Sequence, residues 1–144
     1  MEIKIKKLRE NAIIPSYATI GSAGADLYAC LDKDIVLPAG TSAFLPCGFA
    51  MAIPQGYVGL VYARSGLASK KGLAPSNKVG VIDSDYRGEI TVSIFNHSKE
   101  ERTIASGDRI AQLVIAPVIQ ADFSLSDDLD ETDRGTGGFG STGK

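Results

Sequence analysis

Histidine occurs once in these 144 residues, at His97. That scarcity excludes histidine-based metal sites and the Ser–His or Cys–His pairs of nucleophilic enzymes. Its neighbours Asn96 and Ser98 read as an exposed turn, so His97 carries no expected role. Cysteine is nearly as rare, with Cys30 and Cys47 alone, enough for one disulfide at most. The segment Met1-Glu-Ile-Lys-Ile-Lys-Lys alternates charge with isoleucine and holds no apolar signal core. Two buried free thiols in a reducing cytoplasm are therefore expected. No apolar run approaches membrane-spanning length, so no membrane partner is expected. Net charge is also lacking, at −2 from 15 basic and 17 acidic residues. Such a chain has no global attraction for nucleic acid, and none is expected as a partner. A polyphosphate site would have to be local, built from a few arginines, backbone N–H groups and a divalent cation.

What is present is the composition of an ordinary soluble domain, 44% hydrophobic and 22% charged. A chain of this length buries roughly two-thirds of its unfolded surface as one domain. Strand signals dominate. Ile3 and Ile5 alternate with charged residues, and Ile90, Val92 and Ile94 alternate with Glu89, Thr91 and Ser93. Turn clusters at Pro38–Gly40, Pro54–Gly56, Pro75–Asn77, Asp83–Asp85 and Ser106–Asp108 separate the runs. Short strands at this spacing predict an all-β sandwich or barrel without βαβ alternation. One short helix is expected, N-capped by Ser65 and stopped at Gly72. An acidic stretch, Ser124 to Asp133, sets residues 124–144 apart from a core of residues 1–123.

The last residues, Arg134 to Lys144, hold five glycines, several hydroxyls, one arginine and Phe139. No hydrophobic period runs through them, so they bury no face as strand or helix. Glycine frees backbone N–H groups to wrap an anion, and an aromatic ring can cover a flat base. Composition alone more often marks a solvated Gly/Ser terminus; the arginine and aromatic support a nucleotide lid. Matches to the dinucleotide fingerprint (Gly135, Gly137, Gly140) and to a partial Walker A loop (Gly138, Gly143, Lys144) are rejected, because both need a following helix.

Four further segments break the strand pattern. Small residues before Asp26 in Ala23–Ala29 leave its carboxylate approachable; a turn or capping aspartate is the plainer reading. Arg64-Ser65-Gly66 puts a guanidinium and a hydroxyl at a helix start, as either a phosphate corner or a simple cap. In Asn77–Ile90, a glycine inside the apolar run Val79–Ile82 suggests close approach of a ligand or another backbone. Asp83 and Asp85 flank a serine there, as a hairpin turn also would. Finally, Gln112 stands inside the apolar run Ile110–Ile115, where an amide needs a ligand or a neighbouring strand as partner.

In this order, the five segments resemble those of the trimeric deoxyuridine triphosphate pyrophosphatases, the dUTPases, from Ala23 to Gly143. The resemblance implies an all-β jelly-roll fold and a homotrimer whose active sites draw on neighbouring subunits. It implies hydrolysis of dUTP to dUMP and pyrophosphate, which limits uracil in DNA and supplies dUMP for thymidylate synthesis. On it, Asp83 is the general base for water attacking the α-phosphorus. Mg²⁺ rides on the phosphates, held through water by Asp26. Arg64, Ser65, Gly66 and Gln112 take phosphate positions. Asn77 with the backbone of Val81, Ile82 and Asp83 selects uracil; Tyr86 lies under the deoxyribose, with Thr91 a further contact. Arg134, Gly140, Ser141 and Thr142 close over the γ-phosphate, and Phe139 stacks on the base. The related dCTP deaminases share the fold, but they use a differently spaced Arg-Ser segment and a glutamate for deamination.

Overall fold

Alternating burial in short strands builds a jelly-roll sandwich, seen in a computed structural model that describes residues 1–138. In chain order the strands are β1 (Lys4–Lys7), β2 (Ser16–Tyr17), β3 (Ala25–Tyr28), β4 (Ile35–Leu37), β5 (Ser42–Pro46) and β6 (Phe49–Ala52). They continue with β7 (Tyr57–Tyr62), helix α1 (Ser65–Lys71), β8 (Leu73–Pro75), β9 (Gly80–Ile82), β10 (Thr91–Asn96), β11 (Arg102–Ile104) and β12 (Arg109–Pro117). The largest sheet runs β2-β3-β12-β7-β9, facing a three-stranded β5-β10-β8 sheet across the core, with the pairs β1-β6 and β11-β4 at the margins. Every pairing is antiparallel, as expected without crossover helices.

Period-two patterning fixes the register. On β10, Val92 and Ile94 are buried while Thr91 is exposed, and Ile90 just before it is buried too. A slip of one residue would turn all three isoleucine and valine side chains to solvent. They meet Leu27, Leu45, Phe49 and Ile110, each 1% exposed or less, in one continuous core. Each such side chain contributes roughly 1.5–3 kcal/mol of burial. All five turn clusters form turns.

Two sequence expectations need correction. Ser65 is not the N-cap of α1; Arg64 is, in extended conformation (φ −85, ψ 127), with no side-chain capping bond. The helix thus begins one residue earlier than expected, at Ser65, whose hydroxyl is exposed, while the Arg64 side chain reaches a carboxylate on β3. Gly72 ends the helix in the left-handed region (φ 69), as expected. The turn at His97 is only half exposed: His97 faces solvent, but Asn96 is fully buried. Its amide nitrogen donates to the carbonyls of Leu37 and Glu100, and its oxygen accepts from the backbone N–H and hydroxyl of Ser98. All four hydrogen-bonding capacities of the amide are thus used, which is what makes its burial tolerable.

Cys30 and Cys47 are free and buried. Burial pushes the Cys47 thiol from an ordinary 9.0 up to about 12, with the nearby charge of Glu89 acting in the same direction. The folded chain therefore keeps a proton that the unfolded chain releases above pH 9. The stability tied to this thiol is complete below that pH and declines between about pH 9 and 12, by about 1.4 kcal/mol per pH unit. Urea unfolding of wild type and Cys47→Ala at pH 8 and pH 10.5 checks this: the wild type should lose the additional stability and the variant should not.

Candidate functional site

The third segment forms a cleft of about 230 Å³ lined by Asn77, Gly80, Val81, Ile82, Asp83, Tyr86 and Thr91, with Glu89 and Ile90 behind. Its wall is β9, the last strand of the five-stranded sheet, bonded to β7 on one side only. A terminal strand leaves alternate backbone N–H and C=O groups without a strand partner, here beside the half-buried Ile82 and the exposed Val81. Gly80 sits opposite Val61, and a Cβ there would come within 3.1 Å of the valine. The glycine therefore serves close approach of a neighbouring strand. Asn77 enters the cleft from a tight turn: Val79 N–H donates to Asn77 O at 2.7 Å, with Lys78 at φ 67. A lysine in the left-handed region is strained, and such strain gathers where a side chain must be held in one place. Nothing in the sequence signals this backbone conformation of Lys78.

After Ile82 the chain turns sharply. Tyr86 N–H donates to Asp83 O at 3.2 Å, leaving the Asp83 carboxylate exposed at the mouth. Arg87 folds back to donate to the carbonyls of Ser84 (2.7 Å) and Tyr86 (2.8 Å). The Tyr86 hydroxyl donates to Glu89 O at 3.1 Å, and its ring covers Gly88 so closely that no Cβ could be added there. Tyr86 as a whole remains 46% exposed and lines the cleft.

A second group assembles at the other end of the sheet. Register places Asp26 on β3 opposite Gln112 on β12, and Gln112 opposite Tyr62 on β7. The buried Asp26 carboxylate accepts from Arg64 Nε at 2.7 Å and from Arg109 Nη1 at 3.3 Å. Gln112 Nε2 donates to Ala63 O at 2.8 Å, so the backbone just past β7 takes one of the two amide protons. Its amide oxygen lies over Gly24, where any side chain would collide with it. Ser65 and Gly66 project from the start of α1 into solvent. Arg64, Gly66, Lys70, Lys71 and Arg109 line a cleft of about 360 Å³, with Asp108 in its wall and both arginines paired to Asp26.

Arg109 is the residue that sequence reading missed. It was legible as a charge opening an apolar strand, but its partner depends on an irregularity in register between Arg109 and Ala111. The same pair of arginines bears on the metal. Both Asp26 oxygens face guanidinium groups, and among the described residues no three acidic, histidine or cysteine side chains gather to hold a cation directly. Each oxygen keeps a second lone pair, so the residues fit a water-clothed Mg²⁺ carried by phosphates. That is how this ion, slow to dehydrate, is usually bound.

Within one chain the two groups stay apart: the cleft at β9 and the cleft at α1 share no lining residue. After Pro117 the described chain forms no further strand, and residues 118–136 are exposed throughout. Arg134 lies in this stretch; Phe139, Gly140, Ser141 and Thr142 lie outside the described residues.

A family model described as dUTPase matches residues 10–143. A deoxyuridine 5'-triphosphate nucleotidohydrolase of Syntrophotalea carbinolica is 50% identical over 141 residues, covering 98% of this chain and 96% of the relative. One from Desulfitobacterium hafniense is 51% identical, covering 99% and 97%. Among solved structures, the dUTPase of Staphylococcus bacteriophage 80alpha with dUpNHpp superposes with a TM-score of 0.86 at 29% identity, covering 99% of both chains. A dUTPase variant from phage phi11 of S. aureus, described with a coordinated structural Mg(II) ion, has a TM-score of 0.82 at 27% identity, covering 91% of this chain and 100% of that one. Fold, segment order and relatives agree: this chain belongs to the dUTPase family.

Proposed function

We propose that this protein hydrolyses dUTP to dUMP and pyrophosphate, at sites completed between copies in a homotrimer. The observation that carries this reading is the cleft joining a free strand edge, Asn77, Asp83 and Tyr86 in one small volume. Uracil pairs with the backbone of Val81, Ile82 and Asp83 and with the Asn77 amide. Cytosine reverses the donor at position 4, and polar sites of this kind discriminate by up to about 10⁴–10⁵. The tight turns on either side of β9 would leave no room for the thymine methyl. The Tyr86 ring lies under the deoxyribose, where a 2′-hydroxyl meets an apolar face; Thr91 borders the same space.

Asp83 accepts the proton of the water that attacks the α-phosphorus. A carboxylate is a weak base near neutrality, so position carries its effect, worth ~10²–10⁴-fold. Water and phosphorus must lie in line, and the exposed carboxylate at the cleft mouth leaves that path open. Arg64, Ser65, Gly66 and Gln112 bind phosphate oxygens with charge-assisted and backbone hydrogen bonds. The uncapped Ser65 hydroxyl is free for this purpose, whereas the Asp26 pairing holds Arg64 in place. When bound, Mg²⁺ supplies charge neutralisation at the leaving pyrophosphate, and Asp26 would hold it through water. Arg134, Gly140, Ser141 and Thr142 then wrap the γ-phosphate while Phe139 stacks on uracil.

Two features support assembly. The Asp83 cleft and the Arg64 cleft open separately on a single chain, so one substrate bridges them most simply across a boundary between copies. Ile119, Phe123, Leu125 and Leu129 are each at least 88% exposed on the segment leaving β12, an apolar series that suits a neighbour's surface. The stretch Ser124–Asp133 reaches roughly 30 Å when extended, enough to cross one. In the cytoplasm the reaction would limit uracil incorporation into DNA and supply dUMP for thymidylate synthesis.

Pyrophosphate release from dUTP, dCTP, dTTP and UTP, each with and without magnesium, tests the substrate. Rapid release from dUTP alone, strengthened by magnesium, is expected. Ammonia from dCTP would place the chain with the deaminases instead, and binding of dUTP without turnover would make it a nucleotide-binding protein.

A further inference from the structure

Tyr86 stands outside any strand, so no sheet fixes the height of its ring. Its ties are local: N–H to Asp83 O, hydroxyl to Glu89 O, and ring against Gly88. The place of the ring thus depends on where the backbone of residue 89 is held. Glu89 Oε1 accepts the Gly48 N–H at 3.0 Å and lies 3.6 Å from Arg9 Nε. Gly48 is a junction. Its carbonyl accepts from the N–H groups of Leu8 (2.8 Å) and Arg9 (3.1 Å), and its φ of 76 and the Cys30 sulfur and Ala12 methyl beside it admit only glycine. Arg9 also donates from Nη1 to Cys30 O at 3.3 Å and lies 3.6 Å from Asp32. One residue further on, Ile90 joins the sheet margin through Phe49 O and the Cys47 N–H.

We infer that Glu89, braced by Arg9 and Gly48, is a positioning residue for sugar selection: it sets the height at which Tyr86 meets the ribose. The inference rests on the proposed dUTP hydrolysis and adds a remote specificity determinant to it. The N-terminal segment before β2 thereby becomes part of the substrate-reading apparatus without touching substrate. Neither residue lines the Arg64 cleft proposed for the phosphates, so loosening the brace affects the fit of the sugar more than the attack on phosphorus.

The test compares kcat and KM for dUTP and UTP in wild type, Glu89→Ala, Arg9→Met and Glu89→Gln. Glu89→Ala should narrow the dUTP-to-UTP ratio of kcat/KM about tenfold or more, chiefly through KM for dUTP, since small misplacements from remote changes carry effects of this order. Arg9→Met should move the ratio the same way by less, and Glu89→Gln, which still accepts the Gly48 N–H, should keep most of it. If Glu89→Ala fails to fold, Arg9→Met, which alters a third-exposed side chain, decides the ratio alone. Equal losses for both substrates, with the ratio unchanged, would overturn the inference and leave Glu89 a structural brace. A wild-type chain inert toward dUTP removes the functional reading itself; an active wild type with unaltered variant ratios removes only this brace.

Discussion

Asp83→Asn should abolish most dUTP hydrolysis while dUTP remains bound. Asparagine matches aspartate in size and keeps a polar terminus, and the Asp83 side chain is exposed at the cleft mouth rather than packed in the core. The tie that shapes the turn uses the Asp83 backbone carbonyl, which the substitution leaves in place. What the amide cannot do is accept a proton from attacking water. The expected fall in kcat is about 10²–10⁴-fold, the range for a positioned general base. Binding of a non-hydrolysable dUTP analogue, measured by calorimetry, should change by no more than a few-fold. Normal turnover by the variant would remove Asp83 from the chemistry; lost binding would make it a recognition residue instead.

Removing residues 134–144 should also abolish most dUTP hydrolysis. The segment holds Arg134, which is exposed, together with the hydroxyls of Ser141 and Thr142 and the Phe139 ring. Loss of one donor aimed at developing charge typically costs ~10²–10³ in rate. Stacking on a base adds ~1–3 kcal/mol to binding. Together these predict a drop in kcat/KM of at least about 10²-fold, with KM rising as well as kcat falling. Thermal unfolding and sedimentation of the truncated chain should match wild type, because Arg134 and its described neighbours are solvent-exposed. Full activity in the truncated chain would show that this segment is no lid.

The fold was legible wherever burial on one face alone set the pattern. Ile90, Val92 and Ile94 announced β10, and the Pro, Gly and Asp clusters announced turns, since both signals are local. Features set by distant partners were not. Ser65 looked like a cap, but Arg64 takes that place with its guanidinium at Asp26, 38 positions away, and the helix starts one residue earlier. The amide of Asn96 resembled a turn residue, yet it joins Leu37 to Glu100 from inside the core. Gln112 was flagged as needing a partner, ligand or strand; Ala63 O takes one of its two amide protons, which leaves the other for the proposed ligand. At the candidate site, the stretch from Asn77 to Tyr86 was readable because its residues are contiguous, although it forms a strand and a turn and not a hairpin. Arg109 was not, because its meeting with Asp26 depends on pairing 83 residues apart.

The most direct test mixes two inactive chains. Asp83→Asn and the 134–144 deletion, unfolded together and reassembled, should regain dUTP hydrolysis, because a site can take its carboxylate from one chain and its closing segment from another. Random assembly into a closed ring predicts about one quarter of the wild-type rate, each intact element being present half the time and drawn independently. A reassembled mixture no more active than its two components measured separately would contradict a site shared between copies.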